Sequence, residues 1–359
     1  MRKCLKKFGA MTAGLIGMAY LSAPALAYDT SQLSSSQVLS EITALQTTTT
    51  TLTTLQKGYL SSLLATATSR KLNVVTTSGL SYEGGAKTSS LFRYGAEGMS
   101  AQGNEPRMAV WGQYGFTRFD EDQPTIDSDG VVHSVAVGGD YRFNNWLLAG
   151  LSFAFDRSDV TTTFNRGTSK SNGYTFAPYA VVSLIQDTLF WDASAGYSFG
   201  DNKSTRSSGL ITGSNDNDRY FMSTNLSAVL NKGRWIARPA TGVLWSRSES
   251  DAFRESNGTL VPRNVSHFGR MHVGSEFGYV FPKWEPFVGA KYLYDYKFDF
   301  PKSAAGIPIA TAHRSAVEFA LGTNLNFTQR LSGNLKGSTE AFREDNSTYT
   351  FSGSLRYAF

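Results

Sequence analysis

Cysteine is all but missing from this 359-residue chain: the only one is Cys4, ahead of an apolar run near the N-terminus. That excludes a disulfide framework and a thiolate metal site. Long apolar runs are missing too. After Leu21 there is no stretch of about 18 apolar residues, so no transmembrane helix is expected in the remainder. An excess of one charge is also absent. The pI of 9.1 reflects the basic N-terminus: of 34 Lys and Arg, 4 lie in residues 1–27, leaving 30 basic against 29 acidic residues. A nucleic-acid partner is therefore not expected. Histidine is scarce, at four. Aromatics, in contrast, make up 13% of the chain, with 24 Phe and 17 Tyr beside 34 Gly. That composition suits a membrane β-barrel with aromatic girdles.

The N-terminus has the three parts of a secretory signal. Arg2, Lys3, Lys6 and Lys7 precede an apolar core from Phe8 to Leu21, and Ala25-Leu26-Ala27 supplies a small-residue cleavage site before Tyr28. A signal peptide is predicted over 1–27. Residues 28–75 form a predicted helical segment, with the helix itself over about 34–72. Ser34–Ser36 offer an N-cap, and Ile42, Leu45, Leu52, Tyr59 and Leu63 recur at helical spacing. The threonine run Thr47–Thr51 opposes helix formation. A Gly/Ser-rich linker is predicted over 76–106.

From Met108 onward the pattern changes to alternation. The last eleven residues place Tyr349, Phe351, Leu355, Tyr357 and Phe359 on one face and Thr350, Ser352, Ser354 and Arg356 on the other. Twelve such runs are predicted: 108–119, 130–143, 146–157, 171–186, 188–200, 217–231, 233–248, 264–281, 284–299, 312–327, 331–343 and 347–359. Tight turns at Asn144-Asn145, Asp187-Thr188, Lys232-Gly233, Pro282-Lys283 and Thr328-Gln329-Arg330 alternate with long polar loops near 120–129, 158–170, 201–216, 249–263 and 300–311. The last hairpin, at Asp345-Asn346, is short. Short turns on one side and long loops on the other mark an outer-membrane barrel. The fold class read here is all-β: a twelve-stranded antiparallel transmembrane barrel over 107–359, preceded by an N-terminal α-helix.

Two features follow from strand parity. Trp191, Trp235 and Trp284 each follow a short turn and form a candidate interfacial girdle; Trp146 also follows one, but its parity points it inward. With apolar positions facing lipid, the lumen receives eight cations (Arg142, Arg219, Arg238, Arg270, Lys291, Lys297, Lys336, Arg356) and seven anions (Asp140, Asp156, Asp192, Glu276, Asp295, Glu318, Glu340).

The barrel half resembles the C-terminal translocator domain of autotransporters (type V secretion). The resemblance is carried by Val110-Trp111-Gly112-Gln113-Tyr114-Gly115, Val137-Gly138-Gly139-Asp140-Tyr141-Arg142, Phe176-Ala177-Pro178-Tyr179-Ala180, Trp191-Asp192-Ala193 and the Leu355-Arg356-Tyr357-Ala358-Phe359 end, in that order. It implies an outer-membrane barrel with loops at the cell surface, and contact with lipid and lipopolysaccharide. It also implies insertion by the barrel-assembly machinery and periplasmic chaperones, with Leu355, Tyr357 and Phe359 as the assembly signal. A helix in the lumen and an N-terminal passenger belong to the same expectation. Residues 28–106 are few for a passenger, and the linker has no Asn-Asn pair at which to cut. The resulting expectation is a non-enzymatic barrel that anchors or displays a short N-terminal segment, with a solute channel or a loop-borne adhesin as alternatives.

Catalytic motifs find no support. Gly196-Tyr-Ser-Phe-Gly200 matches a nucleophile elbow in letters only, since Ser198 falls within a strand rather than at a strand-to-helix turn. Ser171-Asn172-Gly173 and Ser256-Asn257-Gly258 lack a His two residues earlier. His267 and His272 face opposite ways, so no metal pair is expected. No cofactor is expected.

Overall fold

The computed structural model describes residues 107–122, 127–144, 146–163, 165–185, 188–299, 314–328, 330–343 and 346–359. The predicted signal peptide, helical segment and linker lie outside the described residues, as do Asn145, Asp187, Gln329 and Asp345 of the predicted turns.

Twelve antiparallel strands close into a barrel. They are β1 (Met108–Glu121), β2 (Ser128–Arg142), β3 (Leu147–Thr162), β4 (Gly167–Ile185), β5 (Leu189–Arg206), β6 (Ile211–Ala228), β7 (Trp235–Ser250), β8 (Asn264–Tyr279), β9 (Trp284–Asp299), β10 (Ser315–Asn326), β11 (Leu331–Ala341) and β12 (Asn346–Ala358). A short piece, Leu230–Lys232, continues β6 past Val229 to the turn into β7. Each strand pairs with its sequence neighbours, and β12 returns to β1 in the register Ala109↔Ala358 through Glu121↔Asn346. The last residue finishes the seam: Phe359 N donates to Met108 O (2.9 Å) and Met108 N to Phe359 O (3.3 Å). Closure leaves no unpaired edge, which is what a sheet in hydrocarbon requires.

Alternation in the sequence becomes inside and outside. On β12, Tyr349, Phe351, Leu355 and Tyr357 are exposed on the outer face, while Ser352, Ser354 and Arg356 are buried within. Strands about 4.8 Å apart and tilted about 40° give a twelve-stranded barrel a backbone diameter of roughly 24 Å. Inward side chains take up much of that width. Glycine is needed where bulky groups cross the interior: a Cβ at Gly138 would stand 2.4 Å from the Trp111 ring, and one at Gly150 would meet Tyr179. At the turn into β7, Gly233 adopts φ 62°, a conformation favouring glycine.

Two predicted loops turn out to be sheet. β3 runs on to Thr162 and β4 starts at Gly167, while β5 continues to Arg206 and β6 starts at Ile211. Of the loops predicted at 158–170 and 201–216, only the short connections between Thr162 and Gly167 and between Arg206 and Ile211 lie outside strands. These extensions carry polar residues on both faces, such as Asp159 and Lys170 outside and Ser158 and Ser169 inside. A strand that stands above the lipid needs no apolar face, so hydropathy does not reveal it. The connection 251–263 holds a small hairpin, Phe253–Arg254 paired with Leu260–Val261.

The outer face gives a first prediction. Val288 points outward, well exposed, a few residues beyond Trp284 on β9. Val288→Arg is expected to destabilise the barrel by about 2–4 kcal/mol. Urea titration in bilayers, followed by the heat-dependent gel shift, checks it; an unchanged midpoint would mean that Val288 does not face hydrocarbon.

Candidate functional site: the barrel lumen

Parity sends every second side chain into the lumen, and the structure shows what these groups do to one another. On the wall built by β8–β11 the charges form a continuous ladder. β9 supplies Glu285, Lys291 and Asp295 at successive heights. Nearest the chain termini, Arg238 of β7 donates Nη2 to Glu285 Oε1, which also accepts Asn324 Nδ2 at 3.1 Å. Asn334 Nδ2 in turn donates to Asn324 Oδ1 at 2.8 Å. In the middle, Glu318 Oε1 accepts both Lys336 Nζ (3.2 Å) and Lys291 Nζ (3.4 Å), and Glu276 lies 3.7 Å from Lys336 Nζ. At the far end Arg270 bonds Asp295 through Nε (2.6 Å) and Nη2 (3.1 Å), and Glu340 through Nη1 (2.8 Å). Arg343 Nη1 adds a bond to Asp295 Oδ2 at 2.9 Å.

The other wall, β1–β6, is built differently. Its ion pairs are few. Asp156 lies 3.5 Å from Arg219. Asp140 accepts Arg356 Nη2 at 2.9 Å and the Tyr179 hydroxyl at 3.3 Å; that hydroxyl accepts Trp111 Nε1 at 2.7 Å. At the far rim Arg206 Nε donates to Glu255 Oε1 at 2.8 Å. Between these pairs run neutral hydroxyl and amide groups: Ser158 with Ser171 (2.7 Å), Ser169 with Asn202 (2.9 Å), Thr175 with Ser198 (2.6 Å), Asn202 with Asn215 (3.3 Å). The lumen thus has one side dominated by a charge ladder and one on which separate ion pairs alternate with neutral hydrogen bonds.

Fourteen of the fifteen charges assigned to the lumen from parity point there. Lys297 does not. A bulge falls between β8 and β9, where Gly269 opposes Lys297 and Arg270 opposes Asp295, so Tyr296 is skipped. One extra residue reverses the alternation beyond it, and Lys297 stands exposed outside. Glu285, Arg206, Glu255 and Arg343 join the lumen network without having been assigned from sequence. Glu285 shares the parity of Lys291 and was legible; the other three lie at strand ends or in connections, where parity lapses.

The aromatic positions fall at the end that carries the termini. Trp191, Trp235 and Trp284 are 41%, 64% and 46% exposed. Trp235 meets Tyr279 edge-on at 5.0 Å, and Phe281 stacks on Trp284 at 4.7 Å. Trp146 departs from its inward parity: it precedes β3 and is 53% exposed. Leu355, Tyr357 and Phe359 are also exposed outside, the last two stacked at 6.2 Å.

Ser198 of the Gly196–Gly200 motif is buried in the lumen, bonded to Thr175 and to Arg219 Nη2 at 3.3 Å. Its partners include no described histidine. His133 bonds Tyr114 on the outer face (2.8 Å), His267 lies beside Trp245, and His272 faces inward, buried. Among the described residues no group of three His, Cys, Asp or Glu is placed to hold a metal.

Comparison with known proteins bears on the barrel as a whole. The family model described as the autotransporter beta-domain matches residues 109–338. Among solved structures, the translocator domain of the autotransporter NalP from Neisseria meningitidis aligns over 90% of this chain and 99% of its own, at 13% identity and TM-score 0.64. The transport unit of AIDA-I from Escherichia coli aligns over 82% of this chain and 99% of its own, at 14% identity and TM-score 0.59. An outer membrane channel from Pseudomonas putida F1 aligns over 71% and 97%, at 13% identity and TM-score 0.51. At these identities the likeness is one of fold. A comparison with curated proteins returned no match.

Proposed function

Since this chain belongs to the autotransporter β-domain family and its barrel is one of the bacterial outer membrane, we propose that the barrel anchors and displays its own short N-terminal segment and catalyses nothing. The observation that carries this reading is the lumen. Most of its charges pair with one another and its Ser198 is tied to Thr175 and Arg219, which equips it to surround a chain rather than to transform a substrate. Both ends of the barrel sequence, Met108 and Phe359, meet at one rim. In this reading that rim is the periplasmic one, and the N-terminal segment passes from it to the cell surface.

The same reading gives the outer face its roles. Trp191, Trp235 and Trp284 form the periplasmic-side belt at headgroup level, and the exposed stripe Leu355, Tyr357 and Phe359 is the strand that the barrel-assembly machinery engages. The extended arms of β3–β6 stand at the cell surface among lipopolysaccharide.

A cysteine at Ser34 tests the display. In intact cells bearing Ser34→Cys, an impermeant thiol reagent is expected to label the protein; protection until the outer membrane is opened would place the segment in the periplasm and end this reading. Planar-bilayer recording supplies the companion result. The full chain is expected to conduct weakly, and a chain lacking residues 28–75 to conduct more. Equal, large conductance in both would favour a solute channel.

A further inference from the structure

The rim that carries Met108 and Phe359 holds cations that the lumen network does not use. Lys232 and Arg234 stand at the turn into β7, Lys283 between β8 and β9, and Arg330 between β10 and β11. All four are exposed, and none pairs with a carboxylate among the described residues. Backbone bonds set these connections side by side. Val280 N donates to Arg234 O at 2.9 Å, Asn326 N to Lys283 O at 2.8 Å, and Ala358 N to Arg330 O at 2.9 Å. Beyond the carboxylate of Phe359, exposed Arg107 continues the row ahead of β1. Glu285 adds no charge to this surface, since it is wholly buried and taken up by Arg238 and Asn324. The rest of the rim is different: among the described residues, the connections from β2 to β3 and from β4 to β5 hold no cation. At the opposite rim, exposed cations have acidic neighbours. Lys170 pairs with Asp159 at 3.1 Å, and Arg247 and Arg263 both reach Glu249.

Next to the cations lies a band of rings. Trp235 meets Tyr279 at 5.0 Å, Tyr279 meets Phe281 at 5.0 Å, and Phe281 stacks on Trp284 at 4.7 Å. Phe327, three residues before Arg330, is exposed as well. Arg234 directly precedes Trp235 and Lys283 directly precedes Trp284, so each ring sits on the strand side of its cation. Aromatic side chains settle at the boundary between headgroups and acyl chains. Cations just outside them then stand at the level of the phosphates. Such a surface is complementary to a molecule with a phosphodiester anion at one end and apolar chains at the other.

We propose that the arc from Lys232 to Arg330 is a binding surface for anionic phospholipids. Lys232, Arg234, Lys283 and Arg330 hold the phosphates, while Trp235, Phe281, Trp284 and Phe327 hold the upper parts of the chains. The proposal goes beyond the display reading and does not need it; it requires only that the outer face of the barrel meets lipid. A Lys or Arg close to an anionic lipid surface favours binding about fivefold. The attraction is electrostatic, so it weakens as the Debye length shrinks from about 10 Å at 0.1 M salt to about 3 Å at 1 M.

Spin-labelled lipids supply the test. Full-length protein is placed in phosphatidylcholine bilayers with a trace of chain-labelled phosphatidylglycerol or of chain-labelled phosphatidylcholine. The motionally restricted part of the electron spin resonance spectrum reports the lipid held at the barrel surface. Phosphatidylglycerol is expected to be held about fivefold more strongly at low salt, and this preference should fall at molar salt. Arg234→Gln, Lys283→Gln and Arg330→Gln together should bring the two lipids level. Arg157→Gln, Lys170→Gln and Lys203→Gln together, on the arms of β3–β5, should leave the preference in place. Each variant is first checked for the heat-dependent gel shift of a folded barrel. Lys283→Gln alone, which should lower the preference part of the way, serves if the triple rim variant does not fold. Equal retention of both lipids by the parent overturns the proposal, and so does a preference that survives the rim changes. Equal loss in both triple variants would reduce the effect to net charge and overturn it too. Displacement of the labelled lipid by soluble glycerol phosphate would point to a free-phosphate site in place of a lipid one. A protected Ser34→Cys would end the display reading and leave this proposal standing.

Discussion

Replacing Tyr357 and Phe359 with serine is expected to leave little folded barrel in the outer membrane. Both rings are exposed on the outer face, where lipid covers them. Moving each from hydrocarbon into water costs about 1.5–3 kcal/mol, so the pair is worth roughly 3–6 kcal/mol, a factor of about a hundred or more in the folding equilibrium. The position adds to the cost. Phe359 exchanges both backbone bonds with Met108 at the place where the sheet closes, and an open edge in hydrocarbon leaves several unpaired groups. The measurement is the amount of heat-modifiable barrel in outer-membrane fractions. Ser354→Ala, two residues from Arg356 on the inward face, serves as the control and should assemble normally. Wild-type amounts of the double serine variant would remove any special role for the terminal stripe.

The second large effect is expected inside. Asp295 is almost wholly buried and accepts from two guanidinium groups, those of Arg270 and Arg343. Asp295→Ala takes one of two carboxylates from both cations, which are left to share Glu340, and removing one partner of a buried pair costs about 3–5 kcal/mol. The expected result is a large fall in the urea midpoint of the gel shift. Changing Asp295 to Leu together with Arg270 to Met should cost much less than Asp295→Ala alone, because far less charge is then left unmatched. If the single variant is as stable as the parent, the far-end network contributes rigidity at most.

Most of the wall was legible before any coordinates, for a simple reason. A barrel strand in lipid has water-like contents on one side and hydrocarbon on the other, so each such strand must alternate, and the alternation in β12 or β9 can be read by eye. The turns were legible through residues such as Gly233. Where both faces of a strand are wet, the constraint lapses. That is why the outer halves of β3–β6 read as loops. A bulge breaks parity silently, as Tyr296 does for Lys297. Trp146 could be counted from parity but not placed, because it precedes the strand whose parity was applied to it.

The sequence by itself determined that this is a closed twelve-stranded barrel, which faces meet lipid, and nearly every charge that enters the lumen. These are local facts, since hydropathy at every second residue reports the medium on each side of a strand. Only the tertiary structure decided how the lumen is divided, because neighbours on the wall, such as Asp295 with Glu340 and Arg343, lie far apart in sequence. Curvature and register brought the charges together along β8–β11, where they pair with one another, and set hydroxyl and amide groups against one another along β3–β6.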